Sequence, residues 1–325
     1  MIVKMWRRLL RRLGYRRRLA VLMILVALVP VVSALVADAW LWPLPHEKLT
    51  RPHSQFVYAS GGEMLGAYAS SDGFWRRPVR LEDLSERLVQ TVLACEDRWF
   101  YVHPGVNPLS LLQAAWDNVR AGRVVRGGST ISMQIARMME PKERTVGSKL
   151  IEILRALQLE WHYSKEQLLE CYFNMVPYGG NIEGAGAASW FYFGKDAGEL
   201  TWAESAVLAG IPVSPNRYRP DRAPHECRKR RDRILRSLAE RGVITPKQLQ
   251  GALSEQMPQA RLERPDFAPH VRRDVAAMFP DSSVLVTSID FQFQRIAERL
   301  ARRHAERLAP DEVHNLSVVV VDNAT

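Results

Sequence analysis

Cysteine is scarce: Cys95, Cys171 and Cys227 are the only three in 325 residues. An odd number with no metal-type spacing excludes a disulfide framework, and no clustering with histidine suggests zinc. Cys95 and Cys171 fall in apolar helical stretches, where a buried free thiol is expected. Acidic residues are missing from residues 1–18, which carry eight cations: Lys4, Arg7, Arg8, Arg11, Arg12, Arg16, Arg17 and Arg18. Of the formal charge of +10, those eight leave +2 for the rest of the chain. A basic face on the body is therefore excluded, and no nucleic-acid partner is expected. Internal repeats and low-complexity segments are also absent.

After the basic block comes an apolar run without charge from Leu19 to Ala37, nineteen residues long. About 20 apolar residues cross a bilayer core as a helix, and the cationic flank stays cytoplasmic. Trp40 and Trp42 then stand at the far interface. Ala37-Asp38-Ala39 also has the look of a signal-peptide cleavage site, but signal cores run only about 7–15 residues. The length favours an uncleaved anchor with the bulk of the chain outside. The expected organisation is a basic cytoplasmic segment at 1–18, a transmembrane anchor at 19–42 and a juxtamembrane linker at 43–80. A catalytic domain at 81–257 comes next, then a linker and partial C-terminal segment at 258–325.

Within 43–80, Phe56-Val57-Tyr58 and Gly66-Ala67-Tyr68 read as short strands about a turn at Gly61-Gly62. From Leu81 to about Gly210 apolar residues recur at three- and four-residue spacing, which predicts helices. They cover Leu84–Ala94, Pro108–Val119, Ile131–Met139, Val146–Trp161, Lys165–Asn174 and Ala203–Ala209. Two more are expected at Glu226–Arg241 and Pro246–Gln256, the latter with Thr245 as N-cap and Pro246 at the first helical position. The basic run Arg228 to Arg233 reads as a solvated helix face. Residues 258–283 are dotted with proline and read as linker. Beyond them a strand is expected at Val284–Thr287, a helix at Phe291–Leu308 and a strand at Ser317–Val321.

Three segments carry chemistry. Glu96-Asp97-Arg98-Trp99-Phe100-Tyr101-Val102-His103-Pro104-Gly105 puts an acid pair at the end of an apolar helix. A carboxylate beside apolar surface acquires a raised pKa and serves as a base near neutral pH; the alternative is a solvated helix end with an aromatic plug. Gly127-Gly128-Ser129-Thr130 leads into a helix whose free N–H groups suit an anion such as phosphate. Thr130, Gln134 and Arg137 share one face of that helix; the alternative is an ordinary capped helix. Lys149 and Glu152, three apart on a strongly apolar helix with Ala156 and Glu160 further along, are either a structural ion pair or a site.

Taken in order, the runs EDRWFYVHPG, GGSTISMQIAR, KLIEILRALQLE, SKEQLLECYFNMVPYG and AESAVLAGIPVSPNRYRP resemble the five motifs of glycosyltransferase family 51, the polymerase domain of class A penicillin-binding proteins. Ser132-Met133-Gln134, the run from Val176 to Gly184 and the run from Trp190 to Lys195 are most similar to the 1C type. The resemblance implies a mainly α, lysozyme-like glycosyltransferase domain with an N-terminal transmembrane helix, a membrane-embedded jaw and a partial α+β C-terminal segment. It implies a peptidoglycan glycosyltransferase in the bacterial inner membrane, single-pass, with its catalytic domain periplasmic. Lipid II and the growing glycan strand are the implied substrates, and other cell-wall synthesis proteins are candidate partners.

The resemblance also implies residue roles. Glu96 matches the base that deprotonates the acceptor hydroxyl, and Glu152 the second essential acid on the donor side. Ser129, Thr130, Gln134 and Lys149 match positions that bind the donor. Asp97, Phe100, His103, Gly128, Arg137, Ser148 and Asn174 complete the implied substrate-binding set. No cofactor is obligatory; magnesium is compatible with a pyrophosphate donor, and a moenomycin-type inhibitor should occupy the donor site. Two positions depart from the family: Arg137 stands where it usually has lysine, and Ser148 where it has arginine, with Arg144 or Arg155 as candidate replacements. No Ser-x-x-Lys or Lys-Thr-Gly occurs, so acyl transfer and penicillin binding are expected to be absent. Thr287-Ser288-Ile289-Asp290-Phe291-Gln292-Phe293-Gln294 resembles the start of a transpeptidase domain, so a synthase cut off as that second domain begins is expected.

Overall fold

The computed structural model describes residues 42–122, 127–143, 145–258, 260–312 and 317–319. The basic segment, nearly all of the expected anchor, and Arg144 lie outside the described residues. Among the described residues no helix is long and apolar enough to cross a membrane. Residues 1–48 and 49–325 are two separate units. The described part of the first contains a single 3-10 turn at His46–Lys48.

The second unit is mainly helical. Its helices are α1 (Glu86–Glu96), α2 (Pro108–Ala121), α3 (Ile131–Met139), α4 (Val146–His162), α5 (Lys165–Met175), α6 (Ala185–Phe193), α7 (Trp202–Gly210), α8 (Pro224–Glu240), α9 (Pro246–Ser254), α10 (Pro269–Met278) and α11 (Phe291–Leu308). The strands are β1 (Gln55–Tyr58), β2 (Met64–Tyr68), β3 (Pro177–Gly179), β4 (Ile182–Glu183) and β5 (Val284–Val286). Local chemistry fixes the helix starts. Ser164 with Gln167, Thr201 with Glu204 and Thr245 with Gln248 form reciprocal capping boxes that satisfy otherwise orphaned N–H groups. Two centres of packing result: α3 lies against α4 and α5, and α7 against α1 and α8.

The short strands expected within 43–80 form as β1 and β2, and β5 joins them in a three-stranded sheet of order β2-β1-β5. β1 pairs antiparallel with β2 and parallel with β5, with Val57 opposite both Gly66 and Leu285. Burial of Phe56, Val57 and Leu65 drives this pairing, so the segments on either side of the helical body close on one another. The proline-dotted segment at 258–283 holds α10, where Pro269 is the first helical residue and not a breaker. α6 escaped periodicity because it is apolar on all sides and almost wholly buried, leaving no polar face to set a phase.

Ser317–Val319 are not in a strand, and the rest of that expected strand lies outside the described residues. Cys227 is buried as a small apolar residue would be, but Cys171 is half-buried and Cys95 exposed, so the buried thiol expected at Cys95 is corrected.

Candidate functional site

α1 delivers Glu96 at its last residue, where the helix turns away at Asp97. α3 meets it from the other side: Gln134 Nε2 donates to Glu96 Oε2 at 2.8 Å. Burial raises the Glu96 carboxyl above its ordinary value; the Gln134 hydrogen bond and the charges of Arg230 and Arg137 oppose this, and Asp97 adds to it. A carboxylate so placed holds its proton more tightly than an exposed one and is a stronger base when ionised.

The N-terminal end of α3 carries the second half. Ser129 accepts a hydrogen bond from Lys149 Nζ at 2.7 Å, and the same ammonium donates to Glu152 Oε2 at 2.8 Å. α4 supplies both, one turn apart on one face. Lys149 therefore projects a cation from α4 towards the glycine-led start of α3, held there by Glu152. α3 joins the halves: its N-terminal approach touches Lys149, while Gln134 and Arg137, further along, face Glu96.

Other expected substrate-binding residues have their polar groups committed to the fold. Asp97 Oδ2 accepts from the Ile131 N–H at 3.0 Å, capping α3, and both its oxygens lie 3.0 Å from His103 Nε2. His103 Nδ1 accepts from the Gly105 N–H at 3.2 Å, so the ring is the tautomer with its proton on Nε2, donating to Asp97. Phe100 is 1% exposed, an aromatic plug. Asn174 bridges Val79 N–H and C=O, both within 2.9 Å. Thr130 Oγ1 donates to Gly105 C=O at 2.6 Å and accepts from Met133 N–H. In this structure Asp97, Phe100, His103, Thr130 and Asn174 brace the fold. Gly128 is also a packing position: a Cβ there would come within 3.0 Å of the α2 backbone at Leu111 and Ser110.

Ser148 Oγ pairs with Thr145 Oγ1 at 2.9 Å in the first turn of α4. It lines a recess of about 10 Å³ with Ala136, Glu140, Lys142, Ile151, Glu152 and Arg155. Arg155 reaches this recess, but it is 4% exposed and its guanidinium is committed to Glu140 at 3.5 Å and Gln158 at 2.8 Å. Its charge is close to Ser148; its donors serve Gln158 on α4 and Glu140 at the end of α3. A shallow 620 Å³ depression lined by Lys229, Asp232, Arg233, Arg236, Ser237 and Glu240 runs along the outer face of α8 and includes none of the residues above.

Arg230 was missed in sequence because it sits in a basic run that reads as solvated. Its guanidinium lies 5.8 Å from the Tyr218 ring, its stem crosses α7 at Gly210, and its Nε is buried with no hydrogen-bond partner among the described residues. A spacing cue existed: Cys227, Ile234, Leu235 and Leu238 are buried on α8, and Arg230 falls on that side. Arg230→Gln removes a charge that lowers the Glu96 pKa. The acid limb of any rate that depends on Glu96 should therefore move to higher pH, with Gln134, Arg137 and Asp97 still in place. A limb that stays fixed in a pH–rate profile contradicts this.

Residues 62–239 match the sequence profile of a family described as Transglycosylase. The chain is 41% identical over 283 residues to penicillin-binding protein 1C of Escherichia coli (strain K12), covering 87% of this chain and 36% of that protein. It is 31% identical over 296 residues to penicillin-binding protein 1A of Aquifex aeolicus (strain VF5), covering 88% and 40%. The chain thus spans between a third and two fifths of the length of these relatives. A crystal structure of penicillin-binding protein 1A from Haemophilus influenzae aligns over 85% of this chain and 32% of its own, with a TM-score of 0.37 and 18% identity.

Proposed function

The chain belongs to the transglycosylase family, and from that premise we propose that it is a peptidoglycan glycosyltransferase that polymerises lipid II into β-1,4 glycan strands. The observation that carries this is the placing of two acids around α3: Glu96, half-buried and hydrogen-bonded by Gln134, and Glu152, held by the Lys149 ammonium that also reaches Ser129.

In this mechanism Glu96 accepts the proton of the acceptor sugar's 4-hydroxyl as its oxygen attacks C1 of the donor. The new C1–O bond forms as the bond from C1 to the phosphate oxygen breaks, with inversion. The electron pair leaves on undecaprenyl diphosphate, where Lys149 and Arg137 meet the developing charge. Glu152 fixes Lys149 in position, and the proton passes from Glu96 to solvent. Ser148 contributes a hydroxyl beside this cation, in place of the second cation usual there.

The donor is a membrane lipid, and the exposed apolar side chains fit that. α2 exposes Leu109, Leu112 and Trp116, α4 exposes Val146, Leu150, Leu154 and Trp161, and Trp99 and Val102 stand out from the loop after α1. Exposed apolar surface of this kind with tryptophans suits a bilayer interface. With the cationic block and apolar run of the first 37 residues, it supports a single-pass protein of the bacterial inner membrane with its catalytic domain periplasmic. The test is incubation of the full chain in detergent with lipid-linked disaccharide, with and without magnesium. Glycan polymer is expected; intact substrate throughout overturns the proposal.

A further inference from the structure

Glu160 belongs to none of the pairs above, yet three elements converge on it. It lies on α4, two turns beyond Glu152, with its side chain 9% exposed. Ser132 Oγ on α3 donates to its Oε1 at 2.5 Å. Lys165 Nζ, from the first residue of α5, donates to the same carboxylate at 2.7 Å. That ammonium also donates to the His103 carbonyl at 2.7 Å and lies 4.5 Å from the Phe100 ring centroid. A carboxylate this buried is tolerable because both of its donors are fixed and one is charged.

The consequence lies in what the clamp holds. The loop after Glu96 is pinned at three points. Asp97 caps α3 at Ile131, the His103 carbonyl is taken by Lys165, and the Gly105 carbonyl is taken by Thr130. Gly105 has φ +90°, and a Cβ there would come within 2.6 Å of the Ala156 carbonyl and 2.8 Å of Glu160 Cγ, so the loop lies directly on α4 at the clamp. Glu160 is thus a side chain of α4 that ties this helix to α3 and, through Lys165, to the loop that follows Glu96. The other end of α4 bears Lys149 and Glu152. About eight residues of helix, roughly 12 Å of rise, separate the two functions on one rigid rod.

We infer that Glu160 is a positioning residue that sets the base Glu96 against the donor clamp Lys149–Glu152, through Ser132 and Lys165. This rests on the glycosyltransferase mechanism above. It touches no substrate; it fixes the register of α4 against α3 and the Glu96 loop. The expected cost of releasing it comes from geometry, since about 1 Å of misplacement between reacting groups costs on the order of 10²-fold in rate.

The test uses the full chain in detergent. Glu160→Gln keeps the shape but leaves Lys165 without its counter-charge. It should lower kcat by about 10–100-fold, with KM for the lipid-linked substrate within about threefold, because Ser129, Lys149 and Glu152 are untouched. Ser132→Ala, which removes one donor and strands no charge, should give a smaller loss of the same kind. Glu160→Gln combined with Lys165→Gln should lose no more than the single variants, because both break one clamp. Amide exchange should quicken in residues 97–106 and the first turn of α3, with the first two turns of α4 unchanged. A purely structural role predicts instead a fall that tracks the folded fraction, with full kcat per folded molecule. Wild-type kcat per folded molecule, or losses in KM alone, overturns the positioning role and leaves the glycosyltransferase reading intact. A wild-type chain that makes no glycan overturns both.

Discussion

Glu96→Gln is expected to cut glycan polymerisation by about 10²–10⁴-fold, the usual cost of losing a positioned base, and to raise the melting temperature at neutral pH. The two effects share a cause. Burial lifts the Glu96 pKa above its ordinary value despite the Gln134 hydrogen bond and the charges of Arg230 and Arg137. The folded chain therefore binds this proton more tightly than the unfolded chain does. Above the folded pKa the ionised carboxylate costs the folded state its full penalty, and below the unfolded pKa the penalty vanishes. Glutamine is neutral at every pH and can still accept the 2.8 Å hydrogen bond from Gln134. The variant should thus melt higher than the wild type near neutral pH, and the difference should shrink as the pH falls towards about 4.3, the unfolded value. Activity retained at wild-type level removes Glu96 as the base. A lower melting temperature at neutral pH with activity lost shows instead that Glu96 is a structural carboxylate.

How far the sequence carried depended on whether a residue's role is local. Capping is a matter of three or four neighbouring residues, so Thr245 was legible as an N-cap, and Thr130, Thr145, Ser164 and Thr201 stand at the N-cap in the same way. Lys149 and Glu152 were legible as a pair because helical spacing puts them together. The Ser129 contact, twenty residues away, was not. The structural partners of Asp97 and His103 were hidden for the same reason. Their spacing marks them as special, but Asp97 is spent on the α3 N–H of Ile131, 34 residues on, a partner that only the fold supplies. β1 and β2 carried no sign of β5, more than 200 residues later in the chain. Arg230 was hidden because a run of cations reads alike whether its members face water or, like Arg230, pack against α7 and Tyr218.

Lys149→Gln is expected to cost on the order of 10²–10³-fold in polymerisation, the scale seen when a preorganised donor to a developing anion is lost. Its ammonium reaches Ser129 at 2.7 Å and Glu152 at 2.8 Å, so it is already aimed at the glycine-led turn where a pyrophosphate would meet the start of α3. Ser148 offers no charge there, and Arg155 is bound to Glu140 and Gln158. Substrate affinity should fall as well, but less than the rate, since the charge on the leaving group is larger in the transition state than in the bound donor. Lys149→Arg keeps the charge but replaces a compact ammonium with a planar fork that does not fit between Ser129 and Glu152 in the same way, so it should restore affinity more than rate. Glu152→Gln should resemble Lys149→Gln in its rate loss, because it frees the ammonium it now holds, and the double variant should lose little more than either single change. Steady-state kinetics on lipid-linked disaccharide decide the matter. Fully additive losses in the double variant would show that Lys149 and Glu152 act separately, and an unimpaired Lys149→Gln would move the donor site away from α4.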